Sequence, residues 1–443
     1  MRVGVIGTGY VGSVTGACLA EKGNDVICMD NNPEKVELMR NGGLPIYEPG
    51  LDEVFKSEIS EGRLHFTTSL DEAMEGTDVL FLALPTPQGE NDEADLSYIL
   101  GAAKDIGKRL TSRMVIVDKS TVPIGTSRWV TEVIEAETRT EFEVVSNPEF
   151  LREGRAVDDF RYPHQIVVGT KAEWAEEIMR ELYEPFVRRT GTLDFMDPYS
   201  AETVKYGINA FLAVKISFAN ELAQLCKATG ADYNRVRMAV GRDTRIGDEF
   251  MFAGPGWGGS CFPKDTRAVV KIAEKLGIDL GTVKAAIESN ERQKRVVPEE
   301  VIKFFDGDLS GRRLALWGLA FKDKTDDIRE SPALSIADQL TERGAEVVAF
   351  DPQAMNNVRK ARASNSLLTY AETDYEALEG VDALVIATNW DEFSTPDFRR
   401  MHQAMRQPVI FDGRNMYKPA AMKQRGFYYN ALVGETVDGR IAA

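Results

Sequence analysis

The chain has 443 residues, more than one hydrophobic core usually supports, so two or three domains are expected. Apolar residues make up 43%, with no run long enough for a membrane-spanning helix, and Asp plus Glu exceed Lys plus Arg by 70 to 53, a formal charge of -17. That balance argues against nucleic acid or an anionic membrane as partner, while an anionic ligand can still be held by backbone N–H groups and a few aimed cations. It also fits a surface adapted to high salt.

The opening MRVGVIGTGYVG lacks the features of a secretory signal, so a cytoplasmic location is expected. Residues 2–6 form an apolar strand that runs into Gly7-Thr8-Gly9-Tyr10-Val11-Gly12, followed by a helix to Gly23 and a second strand, Asp25 to Met29, ending at Asp30. Strand, glycine turn, helix, strand and terminal acid is the order of a dinucleotide-binding βαβ unit. Gly7 suits the tight turn, Gly9 the approach of a pyrophosphate and Gly12 the packing of helix on strand. Asp30 can accept from ribose hydroxyls and would repel a 2′-phosphate, so NAD is expected over NADP.

Further strands are expected at 78–84 and 114–118. A long helix is expected from Ala201 to Gly230, with an apolar face through Val204, Ile208, Phe211, Leu212, Ile216 and Leu222. Such a face suits burial in a second copy of the chain, and at least a dimer is expected. Strand, helix and strand recur at 313–316, 331–343 and 346–350, the last ending at Asp351, and apolar runs follow at 381–388 and 408–415. The fold class is therefore α/β, two Rossmann-like doubly wound domains joined by a long central helix. The expected boundaries are 1–195, 196–300 and 301–443. The second turn, Trp317 to Lys322, has lost the glycine pattern; its two aromatics and its lysine suit stacking and charge contacts to a different nucleotide.

The four cysteines lack CxxC spacing and the three histidines form no cluster, so neither a disulfide framework nor a metal site is suggested. Cys18, Cys28 and Cys226 fall inside a helix, a strand and the long helix, where a cysteine is most simply a small buried residue. Cys261 lies in Gly254-Pro255-Gly256-Trp257-Gly258-Gly259-Ser260-Cys261-Phe262-Pro263-Lys264-Asp265, a glycine-rich turn leading into a helix. With Pro263 at the first helical position, Cys261 stands where helix N–H groups favour a thiolate, and Lys264 adds positive charge. Asp265 is four residues on. Lys205 with Asn209, and Glu149 with Glu153, repeat that helical spacing; taken singly, each pair reads first as a solvated helix face, and it is their convergence that favours a site. A thiolate beside a hydride acceptor implies addition to an aldehyde, hydride loss and hydrolysis of a thioester.

With GTGYVG (7–12), PIYEPGL (45–51), DKSTVPIGT (118–126), NPEFLREG (147–154), KYGINAFLAVKISFANE (205–221), GPGWGGSCFPKD (254–265), GLAFKDKTDDIRESP (318–332) and FDGRN (411–415) assembled, the sequence resembles the UDP-glucose/GDP-mannose dehydrogenase family along essentially its whole length, and its UDP-glucose-oxidising members most. The resemblance implies oxidation of UDP-glucose to UDP-glucuronate, with two NAD reduced per turnover. It implies Cys261 as nucleophile and Lys205 as the cation for the oxyanions, supported by Asn209, with Asp265, Thr121 and Glu149 orienting water and moving protons. Cofactor contacts are implied for Gly7, Gly9, Tyr10, Val11, Gly12, Asp30, Lys35, Thr86, Thr121, Glu153, Lys264 and Arg329. Substrate contacts are implied for Glu149, Phe150, Leu151, Lys205, Asn209, Phe250, Gly254, Gly258, Lys322 and Arg414, and for Arg245, which the family supplies from an adjacent subunit. Pro85 replaces a usual glycine and Trp257 a usual smaller aromatic, which touches the cofactor loop and the sugar pocket. GDP-mannose or an N-acetylhexosamine nucleotide as substrate, a catalytically silent sensor, and simple two-electron oxidation are the alternatives.

Overall fold

The computed structural model describes residues 1–89, 94–188 and 191–440. The chain divides into two compact units, one of residues 1–208 with 267–278 and one of residues 209–266 with 279–443.

The first unit carries an eight-stranded sheet: β1 (Arg2–Ile6), β2 (Asp25–Met29), β3 (Leu64–Thr67), β4 (Val79–Leu82), β5 (Met114–Asp118), β6 (Phe142–Ser146), β7 (Gln165–Gly169) and β8 (Thr192–Met196). Their order is β3-β2-β1-β4-β5-β6-β7-β8, and all neighbours are parallel except β6 and β7. The first six strands thus have the doubly wound order that reverses between β1 and β4. Both faces are covered, as parallel sheets require. Alternation along each strand decides which side chain goes where: Val79, Phe81, Val115 and Val117 join one buried cluster, while Leu80, Leu82, Met114 and Ile116 join the other. Cys18 and Cys28 lie in the first cluster, and burial pushes both thiols up to about 12, so they are inert packing residues.

The second unit repeats the design with β9 (Arg313–Trp317), β10 (Glu346–Phe350), β11 (Leu368–Tyr370), β12 (Ala383–Ile386), β13 (Val409–Asp412), β14 (Tyr428–Ala431) and β15 (Val437–Asp438). The order is β11-β10-β9-β12-β13-β14-β15, parallel but for the last pair. Two doubly wound domains and a long helix, Pro198–Thr229, are what the sequence led us to expect.

The two faces of that helix differ in kind. Its buried side is mostly alanine and polar groups, among them Ala201, Glu202, Lys205, Asn209, Ala213 and Ser217, together with the fully buried ring of Tyr206. Of the six residues on the expected apolar face, five are half-buried within the single chain and Phe211 is 67% exposed, with Phe218 at 54% and Leu225 at 58%. Phe211, Phe218 and Leu225 face outward, while Leu222 packs against the buried cluster of Ala223, Cys226, Tyr233 and Val433. Among the described residues no helix is long and apolar enough to cross a membrane.

Candidate active site

In the first unit the glycine turn after β1 is sterically forced. Gly7 has φ +94°, and a side chain on it or on Gly12 would strike the carbonyl of Ala83 or of Gly7. A Cβ on Gly9 would meet nothing within 4 Å, so the approach to the helix start is open. Helix Tyr10–Glu21 has no side-chain cap and no acid in its first turn, which leaves its N-terminal dipole for an anion. Asp30, at the end of β2, accepts from the Thr8 amide (3.2 Å) and hydroxyl (2.6 Å) and from Lys35 (2.7 Å) on one oxygen, and from the Asn32 amide (3.1 Å) on the other. Burial would raise its pKa, but the bonds from Lys35 and Thr8 hold it below the usual carboxylate range. The oxygen that accepts only from Asn32 keeps acceptor capacity for a ribose hydroxyl. These residues fit a dinucleotide. Thr86 donates to the Thr121 carbonyl (3.0 Å), tying the loop after β4 to the loop after β5; Thr121 is half-buried and Pro85 exposed.

NPEFLREG is a loop, not the helix turn that the spacing of Glu149 and Glu153 suggested. Asn147 is fixed by Lys119 (3.0 Å) and Tyr183 (2.5 Å), and it donates to the Val167 carbonyl (2.7 Å). Glu149 is thereby placed with one oxygen on the Leu151 amide (2.7 Å) and the other on Lys205 (2.8 Å), whose ammonium also reaches the Glu149 carbonyl (2.6 Å) and lies 5.6 Å from the Phe150 ring. Both partners are buried, at 4% and 6% exposure. Desolvation opposes the Glu149 charge, yet Lys205 outweighs it and holds the carboxyl below its ordinary range. Lys205 is therefore no solvated helix face. Glu153 lies in the turn that follows, where Glu48 of PIYEPGL caps the amides of Gly154 (2.7 Å) and Ala156 (2.8 Å).

In the second unit the Cys261 turn is pinned from several sides. Asn220 accepts from the Gly254 amide (2.9 Å) and Gln293 donates to its carbonyl (2.7 Å), while Asn290 exchanges two bonds with Trp257 (2.7 and 2.9 Å). The Trp257 indole donates to Ser217 (3.0 Å) and the residue is 6% exposed, so this larger aromatic is a buried pin of the turn. Gly259, at φ +85°, donates to the Arg329 carbonyl (2.9 Å), and a Cβ there would sit 2.8 Å from the Phe321 ring. A Cβ on Gly258 would strike the Glu330 carbonyl. Helix Phe262–Lys275 starts directly after Cys261, one residue earlier than Pro263 suggested. Cys261 is half-buried, while Cys18, Cys28 and Cys226 are buried. Asp265, 1% exposed, accepts from Asn209 (2.6 Å) and from Lys264 (2.5 Å), so Lys264 spends its charge on Asp265.

Several expected contacts are used differently. Trp317 is fully buried, stacked on Phe393 at 4.8 Å, and so presents no ring to a nucleotide. Asp351 stands where Asp30 stands in the first unit, but it is consumed by Leu319, Ala320, Gln353, Ala354 and the Trp390 indole. Phe321 and Lys322 are half-buried. Arg329 is paired with Asp327 (2.7 Å) and Arg245 with Asp243 (2.6 Å), the Arg245 side chain being 86% exposed. Phe250 holds the uncommon φ of +61° and packs edge-on against Phe262. Arg414 donates to the carbonyls of Ala387 (2.7 Å) and Phe321 (3.0 Å), and desolvation lowers its pKa to about 10; its guanidinium lies 3.0 Å from where a Gly254 side chain would begin. Glu48, Lys119, Asp118 and Glu202 were missed as site-forming residues, although PIYEPGL and DKSTVP already carried three of them.

The family model for the UDP-glucose/GDP-mannose dehydrogenase NAD binding domain matches residues 1–187, that for the central domain 199–292, and that for the UDP binding domain 315–419. The chain belongs to the UDP-glucose/GDP-mannose dehydrogenase family. It is an NAD-dependent oxidoreductase. It is 46% identical over 441 residues to a UDP-glucose 6-dehydrogenase of Pseudomonas aeruginosa, covering 98% of this chain and 97% of that one. Among solved structures of the family, a UDP-glucose dehydrogenase from Pyrobaculum islandicum superposes with TM-score 0.90 at 40% identity over 98% of both chains. A UDP-D-ManNAc dehydrogenase from Pyrococcus horikoshii superposes with TM-score 0.84 at 28% identity, over 98% of this chain and 99% of that one.

Proposed function

We propose that the chain oxidises C6 of UDP-glucose to the carboxylate of UDP-glucuronate, reducing two NAD per turnover, through a covalent bond to Cys261. The observation that carries this is the half-buried thiol at the start of helix Phe262–Lys275, the exception among four cysteines, with Asp265 and Asn209 bonded to each other one turn behind it. The greater identity to the UDP-glucose dehydrogenases than to the ManNAc enzyme supports the choice of sugar nucleotide.

The chemistry that bound NAD would supply is hydride acceptance, one NAD for the alcohol and, after exchange, a second NAD for the aldehyde adduct. Lys205 stabilises the alkoxide as the C6 hydroxyl passes its proton to a water held by Asp265 and the carbonyl forms. The Cys261 thiolate then adds to the aldehyde carbon, giving a thiohemiacetal oxyanion that again needs the Lys205 charge. Loss of the second hydride leaves a thioester. Water, oriented by Asp265 and Thr121, attacks that thioester, and the thiolate departs as the carboxylate forms. Glu149 holds Lys205 in place. The uncommitted acceptor of Asp30 takes the adenosine ribose, while Phe250, Gly254, Gly258, Lys322 and Arg414 take the sugar nucleotide. The outward stripe of Phe211, Phe218 and Leu225 is the seam of a homodimer, and the exposed Arg245, held by Asp243, serves a neighbouring subunit's site.

The test is NADH formed per UDP-glucose consumed, with GDP-mannose and UDP-N-acetylhexosamines run beside it. Two NADH with UDP-glucose supports the reading; one NADH, or activity with another nucleotide alone, overturns it.

A further inference from the structure

Behind the pair of Lys205 and Glu149, the ends of β5 and β6 and the first turns of helix Pro198–Thr229 enclose a small cavity with room for a water-sized guest. It is lined by Asp118, Ser120, Thr121, Val122, Ser146, Pro148, Glu202 and Lys205. Two carboxyl groups face this space, and their surroundings differ. Glu202 is buried and accepts from the Gly125 amide on one oxygen, and from the Ser127 amide (3.0 Å) and Ser146 hydroxyl (3.1 Å) on the other. It thus caps helix Thr126–Glu135, whose dipole favours an anion. Asp118, 2% exposed, accepts from the Ser120 amide (3.2 Å), and its second oxygen has no hydrogen-bond partner among the described residues.

Burial raises the Glu202 pKa, but two amides at a helix start and the Ser146 hydroxyl oppose that and favour its anion. Asp118 has one donor, an unpartnered oxygen and a carboxylate neighbour. Like charges this close in a buried site do not both ionise cheaply, and the poorly solvated member takes the proton. Among the described residues no cation is bonded to it. The flanking strands present Leu82 and Ser146 at its register, and Lys119, next along the chain, turns away to Asn147, Phe160 and Tyr183. The facing helix presents Glu202 and Lys205. Charge count agrees: Lys119 and Lys205 balance Glu149 and Glu202, and an ionised Asp118 would leave an uncompensated buried anion competing for the Lys205 charge.

We propose that Asp118 is a positioning residue that stays protonated at neutral pH beside the Glu202 anion, donating its proton in a hydrogen bond to a water in this cavity on the Thr121 side. A neutral Asp118 leaves the ammonium of Lys205 directed to the reacting oxygen. The inference rests on the proposed role of Lys205. In sign, burial and the Glu202 charge raise the Asp118 pKa, so Asp118 contributes stability below the ordinary carboxylate pKa and loses it progressively as pH rises through its raised folded value.

The experiment uses the full chain. Infrared spectra across pH should show a protonated-carboxyl band at neutral pH that is absent in Asp118→Asn. Asp118→Ala should lower kcat by about tenfold, as removal of a hydrogen bond from a buried charged network does, with KM for NAD little moved. Asp118→Asn should recover most of that loss, because an amide copies the neutral acid. No such band in the wild-type protein, or Asn and Ala variants equally impaired, overturns the proposal. If Asp118→Ala does not fold, the band and its loss in Asp118→Asn still decide. Full turnover by Lys205→Ala would refute the role of Lys205 while the infrared result stood.

Discussion

Glu149→Gln removes the carboxylate beneath Lys205 while keeping its size and an acceptor oxygen. The pair is 2.8 Å apart and buried on both sides, so at an effective permittivity of about 20 its attraction is about 6 kcal/mol. Much of that is offset by the cost of burying both groups. What the variant exposes is the cost of an uncompensated ammonium, about 3–5 kcal/mol for a buried pair broken from one side, with the lower end expected because the amide and the Glu149 carbonyl still accept. A double-mutant cycle with Lys205→Met, read by urea unfolding, should therefore give a coupling of about 3 kcal/mol. The pH dependence has a definite sign. The Glu149 pKa is lowered in the folded protein, so the stability it contributes is complete above the ordinary carboxylate pKa and is lost as pH falls through the lowered one. The gap between wild type and variant should close only there. In turnover, kcat should fall about 100-fold, near the cost of one lost oxyanion donor. A coupling under about 1 kcal/mol, as exposed pairs give, or a gap independent of acid pH, would refute the assignment of Glu149 as the anchor of Lys205.

Three more outcomes follow from other parts of the chain. Gly12→Ala drives a methyl into the Gly7 carbonyl, so NADH fluorescence titration should show binding weakened by at least about tenfold; unaltered affinity would contradict the tight turn. Trp257→Phe loses the bond to Ser217 and should cost about 1 kcal/mol by thermal unfolding, with KM for UDP-glucose little altered; a large KM change with intact stability would make Trp257 a pocket wall. Phe218→Asp, on the exposed stripe, should shift the mass by light scattering toward the monomer, and an unshifted assembly would place the interface elsewhere.

The fold was legible because parallel strands buried on both faces write continuous apolar runs, and β1, β2, β5 and β10 begin and end where those runs do. The glycine turn and Asp30 were equally plain, since only one backbone shape satisfies them. Cys261 at the start of its helix could be read from Pro263 and the glycines before it. What the sequence concealed was direction. Periodicity showed that the long helix has an apolar stripe, but not that alanines and polar groups would take the inside. Spacing alone placed Glu149 and Glu153 on a helix, whereas Asn147, held by Lys119 and Tyr183, keeps that segment a loop. Trp317 looked like a stacking platform because a pattern cannot tell a ring aimed at ligand from one aimed at Phe393. The pair of Asp118 and Glu202 was invisible for a related reason: the two lie 84 positions apart (202 − 118) and meet only through tertiary packing.

The central claim is a covalent one, and mass spectrometry of enzyme quenched in acid during turnover addresses it directly. With UDP-glucose and NAD present, the peptide containing Cys261 should carry the added mass of the oxidised sugar nucleotide, and Cys261→Ser should bind both ligands yet make no UDP-glucuronate. An unmodified Cys261 peptide at every quench time, together with acid production by Cys261→Ser at the wild-type rate, would contradict the account.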